Sequence, residues 1–307
     1  MHYLVFIVVL LSLVGCGTVS ASPTAITSAA SPTELLLFEG ERAMTHAEAQ
    51  CEIGPRPAGS EALLTTRAYI EEAVTAAGWT VVRQDGEFMG VPIHNVIAVK
   101  GEGVPRMVGA HFDTRPVADQ DATTPGEPII GANDGASGVA VLLELARTLE
   151  IPEGRQVQLA FFDAEDRGNL EGWPFSVGAR MVAENLPVER PEAMVLLDMI
   201  GDAQLDIFRE NNSDIALNDT LFAIAAELGY DENGFYNRNK WTITDDHLPF
   251  IEQGIPAVDL IDFDYPYWHT TEDTCDKLSA ESLSKVGRVI EVWLEKESFI
   301  SLLPLVS

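Results

Sequence analysis

Apolar residues along the chain form two alternating kinds of segment. Short continuous apolar runs, such as residues 157–162 and 193–197, are typical of strands that are buried on both faces. Longer segments with an apolar residue at every third or fourth position predict helices. The predicted strands are residues 79–84, 94–100, 106–111, 156–162, 193–199 and 256–261. The predicted helices are residues 35–51, 61–77, 136–149, 176–185, 218–228 and 281–298.

This alternation predicts an α/β fold: a three-layer α/β/α sandwich around a mostly parallel central sheet. No internal repeat is visible, and no linker interrupts the chain after Glu34, so we expect residues 34–307 to form a single domain. In open sheets of this kind, ligands bind beyond the carboxyl ends of the strands. Polar residues at those ends are therefore the first candidates for a functional site.

The N-terminal segment is typical of protein export. Residues 4–14 are apolar but too few to span a bilayer comfortably. The run ends in Leu13-Val14-Gly15-Cys16, which resembles a bacterial lipobox, so residues 1–15 are predicted to be a signal peptide and Cys16 to carry a lipid. The alternatives are a secretory signal cut near Ala21 or an uncleaved anchor, and residues 1–3 lack the usual Lys or Arg.

Residues 17–33 are uncharged and rich in Ser, Thr, Ala and Pro, which is typical of a flexible tether. We therefore expect an exported protein that is anchored to the outside of a bacterial membrane only through Cys16. Cys51 and Cys275 then remain: they either pair in an oxidising compartment or stay as two free thiols.

The charge balance excludes one class of partner. The chain has 48 Asp and Glu residues against 19 Lys and Arg residues, a formal net charge of −29. Such a surface repels nucleic acid, and no basic cluster offsets it. The hydrophobic fraction of 46% supports a sizeable core.

Histidines and carboxylates follow the predicted strands at the points where their apolar runs end. These residues are His111 and Asp113, then Asp163, Glu165 and Asp166, then Asp198, and finally His269 after a loop. Asp134 adds a carboxylate from a turn of small residues, 131–138, whose glycines allow close approach of the backbone to a ligand. Imidazole and carboxylate ligands without thiolate are typical of catalytic zinc.

Each residue alone has an ordinary explanation. Asp134 suits a helix N-cap, Glu165 and Asp166 suit a solvated acidic turn, and His269 suits a loop histidine. Their joint occurrence at several strand ends favours a metal site.

With these residues the chain resembles the M28 metallopeptidase clan, and within it most closely the glutaminyl-peptide cyclotransferase (glutaminyl cyclase) branch. The clan-wide motifs are His111-x-Asp113, Asn133-Asp134-Gly135-Ala136-Ser137-Gly138, Phe162-Asp163-Ala164-Glu165-Asp166, Leu197-Asp198-Met199-Ile200-Gly201 and His269-Thr270. The motifs closer to the cyclases are Asp245-Asp246-His247-Leu248-Pro249-Phe250, Gly254-Ile255-Pro256 and Trp268 directly before His269.

The resemblance implies a single zinc-dependent catalytic domain and a role for each matching residue. One zinc per chain would be held by Asp134, Asp166 and His269. Glu165 would act as the general acid and base, and Asp198 and Asp245 would form a hydrogen-bonded pair beside the substrate amine. Trp268 would be an aromatic wall of the substrate pocket, with Trp173 as a looser match for a second wall.

Three departures from the branch stand out. The usual Glu-Glu pair is Glu165-Asp166, so one metal ligand is shorter by a methylene. Asp259 stands where the animal cyclases carry a His, and the cysteine pattern of the secreted animal enzymes is absent.

The implied activity is conversion of N-terminal glutaminyl residues of peptides or proteins to pyroglutamate with release of ammonia, by a monomer. The first alternative is a two-zinc aminopeptidase, in which His111 and Asp198 complete a second metal site and Asp134 bridges the two metals. The second is a binding protein that kept the fold without catalysis.

Overall fold

The computed structural model describes residues 1–4 and 37–295 of the 307-residue chain. Most of the predicted signal peptide, Cys16 and the whole tether lie outside the described residues, as do the first two residues of the first predicted helix and the last three of the final one. Among the described helices, none is long and apolar enough to cross a membrane.

A six-stranded mixed sheet forms the centre of the fold, in the order β1-β2-β4-β3-β5-β8. Its strands are β1 (Thr80–Phe88), β2 (Val91–Gly101), β3 (Gly103–His111), β4 (Gly154–Phe162), β5 (Ala193–Asp198) and β8 (Ala257–Ile261). The four strands β4, β3, β5 and β8 run parallel, whereas β1 and β2 pair antiparallel at one edge. All six predicted strands are therefore confirmed, as is the mostly parallel sheet.

Helices cover both faces of this sheet. They are α1 (Gly40–Ile53), α2 (Glu61–Ala76), α3 (Gly138–Thr148), α4 (Val177–Glu184), α5 (Ile215–Glu227), α6 (His247–Glu252) and α7 (Ala280–Glu295). Alternate residues of one strand point into different cores: Val108 packs with α3 and α7, whereas Met107 packs with α4 and α6. This alternation explains why the strands read as continuous apolar runs, and it confirms the three-layer α/β/α architecture.

Three elements escape the sequence prediction. They are β6 (Ile207–Glu210) and β7 (Phe235–Trp241), which pair as a separate parallel sheet, and helix α6. Strand β6 has only four residues, and most of β7 is exposed and polar, so neither gives an apolar run. Helix α6 has six residues with Pro249 inside it, which hides a helical period.

Cys51 and Cys275 form a disulfide with an S–S distance of 2.04 Å. The bond joins the end of α1 to the segment that follows the His269 loop. Of the two alternatives left open by the sequence, pairing is the one realised.

Candidate active site

The carboxyl ends of the parallel strands bring the predicted histidines and carboxylates together. His111 is the last residue of β3 and Asp198 the last of β5, while Glu165 and Asp166 follow β4 directly. His269 reaches the same edge from the loop after β8, with a backbone φ of 55°. Two groups result, and within each the ligand atoms lie within 4.8 Å of one another: Asp134, Asp166 and His269, and His111, Asp134 and Asp198.

The first group has the composition of a zinc site. Nε2 of His269 lies 3.0 Å from Oδ1 of Asp166 and 3.6 Å from Oδ2 of Asp134. The second carboxylate oxygen of Asp166 is buried and makes no hydrogen bond among the described residues. One imidazole and two carboxylates that face a common point fit Zn²⁺, which takes nitrogen and oxygen ligands and leaves a position free in catalytic sites.

The second group shares Asp134 with the first. Nε2 of His111 lies 3.2 Å from Oδ1 of Asp134 and 3.2 Å from Oδ1 of Asp198. Asp134 therefore presents one oxygen to each group. This is the arrangement expected of a carboxylate that bridges two metal ions.

The turn that carries Asp134 needs its glycines. Gly131 has φ 63° and Gly135 has φ 100°, both in the region that favours glycine. A Cβ on Gly135 would also lie 2.8 Å from the backbone oxygen of Asp113 and 3.1 Å from the His111 ring. Asp134 sits inside this irregular turn, ahead of α3, so it is not the N-cap of that helix.

Two further carboxylates fix the backbone on which these ligands sit. Asp113 accepts hydrogen bonds from the backbone N–H groups of Glu165 (3.0 Å) and Asp166 (3.2 Å). Asp273 accepts from the N–H groups of Asn133 (2.9 Å) and Asp134 (3.2 Å). Each carboxylate therefore fixes the position of a loop that carries predicted metal ligands. Asp113 was among the strand-end residues, but no role was predicted for Asp273.

Arg56 is a buried arginine beside the site whose contacts the sequence did not reveal. It is fully buried, and its guanidinium donates to the carbonyl oxygens of Phe112 (2.9 Å), Ile130 (2.7 Å) and Gly131 (2.9 Å). Burial lowers its pKa to about 10, against the opposing influence of Asp113 and the other nearby acids. Nothing in the apolar pattern around residue 56 marks it, because its partners lie 56 to 75 residues away.

A cavity of about 240 Å³ opens beside both ligand groups. Its lining includes the carboxyls of Glu165, Asp198 and Asp245 and the aromatic rings of Trp268, Phe263 and Phe175. The Trp268 ring stacks on His269 with the ring centroids 3.9 Å apart.

Trp173, the second predicted wall, lies elsewhere. Its ring packs edge-on against Phe88, 4.9 Å away, in a small core with Ile93 and Val177. Phe175, two residues further along the same loop, supplies the aromatic side chain that lines the cavity.

Burial and repulsion between neighbouring carboxylates raise the pKa of several of these acids. Burial first, and then Asp245, raises the pKa of Glu165 well above its usual value. Burial and the neighbouring Asp198 raise the pKa of Asp245 to about 7, and burial with Asp134 raises that of Asp166 to about 6. Such shifts in a cleft are typical of catalytic and metal-binding carboxylates.

Behind Asp245 lies a buried polar network that was not predicted as a unit. Nε2 of His247 is 3.2 Å from Oε2 of Glu210, and its Nδ1 is 3.8 Å from Oδ2 of Asp259. Both carboxylate oxygens of Asp259 are buried without a hydrogen-bond partner in the described part of the chain, and burial first, then the nearby Asp245, raises the pKa of Asp259 well above its usual value. Glu210, on the unpredicted strand β6, also accepts from the N–H groups of Ser213 and Ile243.

The three-layer sandwich and the imidazole–carboxylate groups at its strand ends define a metal-dependent enzyme of the zinc-exopeptidase type. Residues 95–294 match peptidase family M28, and the chain belongs to this family. Enzymes of this family depend on zinc, in agreement with the ligand groups described above. The family resemblance inferred from the sequence is confirmed.

Known relatives include enzymes of both kinds that the sequence suggested. A glutaminyl-peptide cyclotransferase-like protein of Mus musculus is 27% identical over 282 residues, covering 78% of this chain and 71% of the mouse protein. The crystal structure of Porphyromonas gingivalis glutaminyl cyclase matches with a TM-score of 0.81 and 30% identity, covering 85% of this chain and 99% of that one. The structure of a leucine aminopeptidase precursor from Bacteroides thetaiotaomicron matches with a TM-score of 0.79 and 28% identity, covering 85% and 98%.

Proposed function

We propose that this protein is a zinc-dependent glutaminyl-peptide cyclotransferase that converts N-terminal glutaminyl residues to pyroglutamate and releases ammonia. The observation that carries the proposal is the composition of the cavity. The aromatic rings of Trp268, Phe263 and Phe175 line it together with the carboxyls of Glu165, Asp198 and Asp245, and no Lys or Arg is among the described residues that line it. The apolar rings suit the methylenes of a glutaminyl side chain, and the acids suit hydrogen bonds from its amine.

Glu165 is placed to move the proton in this reaction. The amine nitrogen of the substrate attacks its own side-chain amide carbon, a carbon–nitrogen bond forms, and the bond to the amide nitrogen breaks. Glu165 would accept the proton that the amine loses and return it to the leaving nitrogen, so that ammonia departs neutral. Burial first, and then the nearby Asp245, raises the pKa of this carboxyl well above its usual value, which makes its ionised form a stronger proton acceptor.

Asp198 and Asp245 would orient the amine through hydrogen bonds. Both are buried at the cavity wall, at 7% and 3% exposure. Holding the amine against the amide carbon is a proximity effect, which converts a rare ring-closing conformation of the free peptide into the bound one. Zinc held by Asp134, Asp166 and His269 would supply Lewis-acid polarisation of the amide carbonyl.

The Asp166 ligand is compatible with this role despite its length. Its Oδ1 atom reaches within 3.0 Å of His269 Nε2, so the loop after β4 already brings the shorter carboxylate to the other ligands. The shorter side chain of Asp166 therefore still offers a ligand atom to the group of Asp134, Asp166 and His269.

The second candidate is a two-zinc aminopeptidase, and one observation favours it. His111 and Asp198 lie with Asp134 in a complete second ligand group, at 3.2 Å for both imidazole contacts. In that reaction Glu165 would take a proton from water rather than from the substrate amine.

A direct test offers the purified, zinc-loaded protein a glutaminyl and a leucyl fluorogenic amide side by side. Cyclisation releases ammonia from the glutaminyl substrate and leaves the fluorophore attached. Aminopeptidase action releases the fluorophore, with free leucine or glutamine. We expect ammonia and a pyroglutamyl amide, with about one zinc per chain. Fluorophore release from the leucyl amide, with two zinc ions per chain, would overturn the proposal in favour of the peptidase.

We also propose that the protein is exported and held at the membrane through Cys16. The Cys51–Cys275 disulfide supports this, because such bonds persist mainly in oxidising compartments. A Cys16→Ala variant should move from the membrane fraction to the soluble exported fraction, and unchanged membrane association would contradict the lipid anchor.

A further inference from the structure

The loop of residues 115–127, here called the clasp loop, grips the loop that carries His269. The backbone N–H of Gln120 donates to the carbonyl oxygen of His269 at 3.2 Å. Asp121 accepts from the hydroxyl of Thr271 at 2.6 Å and from its backbone N–H at 3.2 Å. The clasp loop thus holds the backbone at the predicted metal ligand and just beyond it.

One residue of the clasp loop faces the imidazole itself. Oδ1 of Asp119 lies 3.2 Å from Nδ1 of His269. That nitrogen is buried and has no hydrogen-bond partner in the part of the chain that the structure describes, so Asp119 faces it as an ion-pair contact. Nε2 of the same ring points the opposite way, toward Asp166 and Asp134. An imidazole offers the Nε2 lone pair to a metal only when Nδ1 carries the proton, and a carboxylate at Nδ1 selects that tautomer.

Arg115 holds Asp119 in place. Its Nε and Nη2 atoms donate to the two oxygens of Asp119 at 2.7 and 2.8 Å, the paired geometry of a guanidinium with a carboxylate. Its Nη1 atom donates to the backbone oxygens of Asp166 (3.1 Å) and Gly168 (3.0 Å). Arg115 is 2% exposed, and its bonds to the two backbone oxygens are buried, whereas its bonds to Asp119 are partly buried.

A single guanidinium therefore links two of the predicted metal ligands. It reaches the His269 ring through Asp119, and it reaches Asp166 through the backbone of the loop after β4. We propose that Asp119 and Arg115 are positioning residues that set the affinity of the site for its metal. They fix the tautomer and direction of His269 and its distance from Asp166, without touching the substrate. The proposal goes beyond the reaction, since His269 would bind metal in the cyclase and in the peptidase alike.

The clasp loop offers a matched pair of variants. Asp119→Asn removes the charge that faces the ring but keeps the size of the side chain. Asp121→Asn makes the same change two residues away, on a carboxylate that grips the same loop but faces no ligand ring. Asp119 has a side chain 32% exposed, so its substitution does not open the core.

The measurements use the full-length protein, and none depends on catalysis. Zinc affinity is measured by competition with a chromophoric chelator, and thermal unfolding of the metal-free protein reports the fold. The visible absorption spectrum of the Co²⁺-loaded protein reports ligand geometry. For Asp119→Asn we expect a loss of about 10- to 100-fold in zinc affinity and shifted Co²⁺ bands. Asp119→Glu, which restores the carboxylate, should recover part of the affinity, and Asp121→Asn should stay close to the parent protein.

Equal losses of zinc affinity in Asp119→Asn and Asp121→Asn would mean that the clasp loop has only a structural role, which contradicts the proposal. Unchanged zinc affinity in Asp119→Asn would also overturn it. Arg115→Lys extends the test, because lysine keeps the positive charge but cannot make the paired hydrogen bonds to Asp119. If both residues act through one path, the double variant with Asp119→Asn should lose little more than either single variant. Fully additive losses would contradict the shared path. Should Arg115→Lys fail to fold, the Asp119 and Asp121 pair still decides the question.

Discussion

Two groups of buried acids lie at the site, here called the metal side and the acid side, and their negative charge is offset in different ways. On the metal side, His111, Asp134, Asp166 and His269 lie near two buried arginines, Arg56 and Arg115, and converge on points where a cation fits.

On the acid side are the buried carboxyls of Asp245, Asp246 and Asp259 and the buried imidazole of His247, whose Nδ1 lies 3.8 Å from Oδ2 of Asp259. Burial raises the pKa of Asp246 and Asp259 well above the usual range, with the nearby Asp245 adding to the effect. The metal side therefore offers ligands to a cation, whereas on the acid side burial favours the protonated form of the carboxyls. A reaction that moves a proton next to a metal needs both, and Glu165 lines the cavity together with Asp166 of the metal side and Asp245 of the acid side.

The largest effect should come from the residue at this junction. Glu165→Gln keeps the shape of the side chain but removes its ability to exchange a proton. Turnover should fall by about 10³-fold or more, near the upper part of the range for general acid–base catalysis, while bound zinc is unchanged. Steady-state kinetics and metal analysis on the same preparation check this. A variant that retained most of its activity would remove Glu165 from the acid–base role.

On the metal side, substitution of His269 should lower zinc affinity. His269→Ala removes the only imidazole of the first ligand group, and zinc affinity should fall by more than about 100-fold, beyond what supporting residues contribute. The control is His247→Asn on the acid side, which should leave zinc affinity nearly unchanged. Chelator competition measures both variants. Equal zinc occupancy in His269→Ala and the parent protein would refute the ligand assignment.

Substitutions on the acid side should have a smaller effect, and they should lower kcat rather than zinc affinity. Asp259→Asn keeps the size of the side chain but removes a buried titratable carboxyl near Asp245, the residue that would orient the substrate amine. We expect kcat to fall by about tenfold, equivalent to about 1.4 kcal/mol of transition-state stabilisation, with zinc affinity intact. Glu210→Gln, which acts on the same network through His247, should give a similar loss. If either variant lost zinc instead, the two sides would not be separable.

The smallest effect is a pH dependence of stability in the metal-free protein. The pKa values of Asp166 and Asp245, about 6 and about 7 in the folded state, exceed those of the unfolded chain. Their contribution to stability is therefore fully present below about pH 4 and is lost as the pH rises through 6 to 7. The melting temperature of the metal-free protein should fall between about pH 5 and about pH 8, and zinc should flatten this dependence. A melting temperature that rose over that interval would contradict the raised pKa values.

The contrast between the two sides also explains what the sequence could reveal. His111, Asp166 and Asp198 end or follow apolar strands, so the strand pattern alone places them at one edge of the sheet. The residues that support them lack such a signal. Arg56 and Asp119 act on groups that are distant in sequence, and Glu210 lies on a four-residue strand. Their roles follow from tertiary contacts, which a local pattern does not encode.

The Cys51–Cys275 disulfide has a further consequence for durability outside the cell. Every predicted site residue, from His111 to His269, lies within the covalent ring that this bond closes over a sequence separation of 224 residues. Residues 122–128 are exposed and would be open to proteases. A single cut there would add two new chain ends but leave one covalently linked molecule rather than two fragments. The disulfide would keep the two pieces at a high effective concentration, so the nicked enzyme should keep its active site assembled.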